Sequence, residues 1–197
     1  MSEINKRYFM DWFLRARHWQ IFLLIFLIPV VIVSFGFFMI NLLLYTGILF
    51  YAIPVAIALS QISVYSWMWA VGSKLRPSDG SNKGKVLFRL FVFFPIVLIS
   101  LILVFWLSGA TMFTLGSYSV VSFLYSSLLI IFPLQIVTVG TMFYCFMFVA
   151  RVVKMAETGH EVAFENYFRE FVLVALLPLG IWFVQPRINE LCKAKRN

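Results

Sequence analysis

Two long stretches of this sequence, residues 18 to 73 and 90 to 150, contain no Lys, Arg, Asp or Glu. A water-facing surface cannot be built that way, because in soluble domains about every fourth residue is charged. Each stretch is instead long enough for two membrane crossings, since one crossing helix takes about 20 apolar residues. The pattern predicts two helical hairpins, with spans at 21–40, 48–71, 86–106 and 120–150 and uncharged turns at 41–47 and 107–119. With 62% hydrophobic and 12% charged residues, the 197-residue chain leaves no room for a separate soluble domain. The expected fold class is all-α: an integral membrane four-helix bundle over residues 20–153. An interfacial helix over 1–19 precedes it, and an amphipathic and re-entrant segment with a basic tail over 154–197 follows it.

The charges also orient the chain. Lys6, Arg7, Arg15 and Arg17 precede the first span, and Lys74, Arg76, Lys83, Lys85 and Arg89 lie between the second and third. By the positive-inside rule both groups, and both termini, face the cytoplasm. The net charge of +8 reads as a basic rim on anionic headgroups. Its scatter over helix ends argues against nucleic-acid binding. Trp19, Trp67, Trp69 and Trp182 fall near inner span ends and Trp106 near an outer one, as an aromatic belt would place them. In RYFMDWFLRARHW, Tyr8, Phe9, Trp12 and Phe13 share one helical face while Arg7, Asp11 and Arg15 share the other, which predicts the interfacial helix.

The run FVLVALLPLGIWFVQPR is harder to place. Its apolar part, Phe171 to Val184, would rise about 21 Å as a helix, short of the roughly 30 Å hydrocarbon core. Pro178 and Gly180 interrupt it. The residues just before it put Glu161, Glu165 and Arg169 on one face and Phe164, Phe168 and Phe171 on another. The reading is an interfacial helix that tips into the inner leaflet and returns at Gln185, with a fifth span as the alternative. Glu161, Glu165 and Arg169 become a candidate surface for a cytoplasmic protein partner.

Every apolar run carries one proline: Pro29, Pro54, Pro95, Pro133 and Pro178. They are candidate hinges. The competing explanation is that proline is tolerated in membrane helices wherever neighbouring helices satisfy the carbonyls it frees.

Chemistry-bearing groups are scarce. Coupled transporters and proton relays place ionisable residues inside the membrane, and here only Arg89 stands at a span entrance. Cys145 and Cys192 do not form a disulfide scaffold or a CxxC metal site, and the histidines, His18 and His160, lie at the rim. Glu157 and His160 make a single Glu-x-x-His unit, where a di-iron bundle needs two. The expectation is a non-enzymatic protein with no cofactor and no metal. Gln61, Gln135, Thr138 and Thr141, with Ser60 and Ser63, are the candidate polar groups within the spans. They either line a hydrated path or bond helices together, for about 0.6 to 2 kcal/mol each.

The ending LLPLGIWFVQPRINEL, after its charged amphipathic segment, resembles the carboxyl end of small multi-pass membrane proteins common in Bacteroidetes. The resemblance covers about thirty residues. It implies a bacterial origin, hence an inner membrane, and a shared membrane-edge module, and it brings no assigned activity. Some small multi-pass proteins of such bacteria accompany phage-defence systems. Two functions fit: an oligomeric or accessory interaction module with a cytoplasm-facing partner surface, or a passive pore or membrane-perturbing effector.

Overall fold

The structure, a computed structural model, describes residues 12–43, 48–75, 82–114 and 120–194. All of its elements are helical. They run α1 (His18–Phe22), a π-helical turn (Leu23–Leu27), α2 (Ile28–Leu43), α3 (Ile48–Lys74), α4 (Asn82–Thr114), α5 (Val120–Thr158), α6 (Phe164–Ala175) and α7 (Leu177–Ala194). Four segments are long and apolar enough to cross a membrane: His18–Ile40, Ile48–Lys74, Val86–Gly109 and Leu128–Thr158. This is the architecture of a multi-pass membrane protein. The helices overrun the expected turns, because α4 continues to Thr114 and α2 to Leu43. The rest of both turns and the first eleven residues, most of the expected interfacial helix, lie outside the described residues.

The spans do not form an even four-cornered bundle. The second span, α3, packs on all the others, and α3, α4 and α5 form a three-helix cluster, whereas the first span packs chiefly on α3. Small residues allow the close approaches. A Cβ on Gly72 would collide with the ring of Phe88, which stacks on Phe148 at 4.1 Å and faces Trp69 at 6.0 Å. The core is concentrated toward the charged end of the cluster, with Tyr65, Trp67, Met68, Val71, Val92, Val149 and Val153 all essentially inaccessible. Toward the other end most side chains of α5 point outward, among them Leu128, Leu129, Phe132 and Ile136. In a bilayer such faces meet lipid tails that are as apolar as they are.

At the charged end α6 and α7 form a helical hairpin that packs on α5 and on α1. Gly159, at φ 76°, ends α5 with its N–H on the carbonyl of Met155, a left-handed terminus that glycine adopts without steric penalty. The break between α6 and α7 falls at Leu176, ahead of Pro178 and Gly180. Leu176 then supplies the carbonyl that accepts from Leu179 and Gly180. Pro178 therefore sits in the first turn of α7, where a missing N–H costs nothing. Gly180 has a different reason: a Cβ there would run into the carbonyl of Leu173, so glycine is what lets the two arms close. Helix α7 continues through Gln185 and Pro186 as far as Ala194.

Candidate functional site

Proline in a helix interior removes the N–H that would bond the carbonyl four residues earlier. For three of the predicted hinge prolines that carbonyl has found another donor. Before Pro29, the carbonyl of Ile25 accepts from Ser60 Oγ of α3 at 2.8 Å. Before Pro54, the carbonyl of Phe50 accepts from Trp106 Nε1 of α4 at 2.8 Å. Before Pro95, the carbonyl of Phe91 accepts from Cys145 Sγ of α5 at 3.5 Å, a weak thiol bond. Each bond crosses to a different helix. The prolines thus turn backbone groups into interhelical ties, first span to second, second to third and third to fourth. The π turn immediately before Pro29 widens the helix where the proline ring would strike the preceding turn.

The polar residues within the spans separate into two sets. Thr138 and Thr141 are buried, and Tyr65 donates to the carbonyl of Thr138 at 2.9 Å with Thr141 Oγ1 at 3.4 Å from the same hydroxyl. Thr141 also donates to the Thr138 carbonyl. Gln61 and Gln135 are brought together elsewhere, on the wall of a cleft of about 150 Å3 between α3, α4 and α5. Pro54 and Trp106 line it as well.

The charged end is held by residues to which the sequence reading gave no such role. The helical turn over residues 12–15 ends at Ala16 and leaves carbonyls without intrahelical donors. Gln185, wholly buried on α7, covers them: its Nε2 lies 2.9 Å from the Phe13 carbonyl and 3.1 Å from that of Ala16. Its Oε1 accepts from Trp67 Nε1 at 2.9 Å, and Asn189, one turn on, reinforces the Ala16 contact at 3.3 Å. One amide therefore fastens the amino end, the second span and the carboxyl-terminal helix together. Trp67 is consequently not a belt residue, as its place near a span end suggested. It is fully buried because its N–H has a partner inside the protein, whereas Trp19 and Trp182 are exposed as expected.

Beside this tie, Arg187 forks onto Glu157 at 2.8 Å from both Nε and Nη2, and Nη2 also reaches Glu170 at 3.0 Å. Lys154 stands 3.5 Å from Glu170 and 3.6 Å from Glu157. Burial acts to raise the Glu170 pKa, but the hydrogen bond from Arg187 and the charge of Lys154 outweigh it and hold the carboxyl below its ordinary range. For Arg187, burial opposes the charge and its bonds to Glu170 and Glu157 prevail, so its pKa is raised. The single signal available in the sequence was that Gln185 and Arg187 follow directly on an apolar run. Glu157 is thus paired with Arg187, and His160 Nδ1 lies 2.9 Å from the carbonyl of Thr158.

The proposed partner-surface residues lie on the outside of the hairpin. Glu161, Glu165 and Arg169 are exposed, and Glu161 makes only a loose 3.8 Å pair with Arg151. Fold and sites together define a four-span helical membrane protein with a docked helical hairpin at its charged end. Comparison with protein-family models, curated proteins and solved structures finds no match.

Proposed function

We propose that this is a non-enzymatic protein of a bacterial inner membrane, with both termini cytoplasmic. It would act as an oligomeric or accessory interaction module whose hairpin receives a partner. The observation that carries this reading is the construction of the charged end. A buried glutamine and a four-member ion cluster hold α6 and α7 in fixed position, while Glu165, Arg169, Phe164 and Phe168 stay exposed on α6. Exposed charges on one face of a fixed helix and exposed phenylalanines on another offer a protein partner both polar and apolar contacts. The anionic headgroups attract the surrounding basic rim.

Site-specific photocrosslinking in cells tests this reading. Probes at Glu165 and Arg169 should form protein adducts, with a second copy or another subunit, and a probe at lipid-facing Phe132 should not. In the same cells a cysteine at Ser117, in a background without Cys145 and Cys192, should react with an impermeant thiol reagent, and one at Glu165 should not. Lipid adducts alone at 165 and 169, together with conductance of the purified protein in planar bilayers, would favour a pore or membrane-perturbing effector.

A further inference from the structure

The cleft that gathers Gln61 and Gln135 has walls otherwise made of Ile57, Ile99, Ile131, Trp106 and similar apolar groups. Among the described residues neither amide side chain makes a hydrogen bond. We propose that this cleft binds a neutral, membrane-dissolved ring compound bearing carbonyl acceptors, the chemical class of the quinones.

Depth selects the ligand first. Gln61 is the central residue of α3, thirteen residues from either end of this span, which brings it near the middle of a roughly 30 Å hydrocarbon core. Water is scarce there, and an amide without a partner is costly, so each N–H calls for an acceptor supplied by whatever fills the cleft. Phospholipid esters stay at the polar edge of the bilayer and do not reach this level, whereas a neutral ring compound dissolves in it. Size agrees, since about 150 Å3 takes a benzene-sized ring, and the cleft is open on one side, so that ring substituents extend out of it. Charge agrees as well. Among the described residues the cleft walls carry no ionisable side chain, so an anion or cation would find no counter-charge. Gln61 and Gln135 stand on different helices and offer two donors to one occupant, as a ring with carbonyls at opposite positions would accept them.

The test compares duroquinone with durene, rings of nearly the same shape with and without carbonyls, on the full chain in lipid nanodiscs. Duroquinone carries no free ring position for thiol addition, so Cys145 and Cys192 do not interfere. The expected result is saturable duroquinone binding, with durene at least about tenfold weaker. Gln61→Leu and Gln135→Leu should each weaken duroquinone by about 2- to 12-fold, the value of one neutral hydrogen bond, and leave durene unchanged. Affinity should be the same in ester-linked and ether-linked lipids; a gain in ether lipids would make a lipid ester the occupant and overturn the proposal. Equal binding of the two rings, or binding of neither, overturns it too, and this comparison needs only the unmodified protein.

Discussion

Ser60 Oγ lies 2.8 Å from the carbonyl oxygen of Ile25, and Ile25 stands four residues before Pro29. The hydroxyl replaces the N–H that the proline lacks. Phe50 with Trp106 and Phe91 with Cys145 repeat the arrangement at Pro54 and Pro95. At these three prolines the freed carbonyl is a point of attachment between spans.

The attachment makes a double-mutant prediction. Ser60→Ala should destabilise the protein by about 1 to 2 kcal/mol, since a carbonyl in hydrocarbon loses its donor. In a Pro29→Ala background the helix regains its own donor, and the same Ser60→Ala change should cost close to nothing. Unfolding in mixed detergent measures both. Equal losses in the two backgrounds would remove the proline from the explanation.

Gly180 and Gly140 should respond oppositely to alanine. A Cβ at Gly180 meets the backbone of Leu173, which has no room to give, so Gly180→Ala should open the hairpin and cost about 3 kcal/mol or more. A Cβ at Gly140 meets nothing within 4 Å, so Gly140→Ala should be neutral or stabilise by up to about 1 kcal/mol. Thermal unfolding of the two variants side by side decides the matter.

Gln185→Leu should loosen the whole charged end. It removes the Gln185 bonds to the carbonyls of Phe13 and Ala16 and to the indole N–H of Trp67 in a dry site, a loss of about 2 to 4 kcal/mol. Hydrogen exchange should then rise in α1 and α7 together, while the α3–α4–α5 cluster holds. Faster exchange in α7 alone would mean that Gln185 does not couple the two ends of the chain.

Acid should release the hairpin through Glu170. Its folded pKa lies below the ordinary 4.5, because the Arg187 bond and Lys154 outweigh burial. The unfolded chain therefore takes up this proton at higher pH than the folded one. The stabilisation is complete above the ordinary value and is lost as pH falls through 4.5 and below. Between pH 7 and 3 the apparent melting temperature of the wild type should fall more steeply than that of Glu170→Gln. Parallel curves would assign the acid sensitivity to other carboxylates.

The number of spans was legible because charge is excluded from hydrocarbon by several kcal/mol per group, so uncharged runs of this length leave one interpretation. The positions of the prolines were legible too, together with the idea that neighbouring helices would satisfy the carbonyls they free. Which neighbour does so was not. Ile25 and Ser60 lie thirty-five residues apart in sequence, and Phe91 and Cys145 fifty-four. Nothing local marks such pairs, because they depend on how two packed helices are rotated and how far one slides along the other. Gln185 carries the same lesson further. In the sequence it is the first polar residue after an apolar run and reads as a point of exit into water, yet it is wholly buried with the amino end of the chain around it. A polar side chain is buried only where donors and acceptors converge on it, and that convergence, from residues 13, 16, 67 and 189, exists only once the hairpin has docked. Composition decided that the chain enters a membrane, and tertiary packing decided which of its few polar groups hold it together and which, like Gln61 and Gln135, are left facing a cleft.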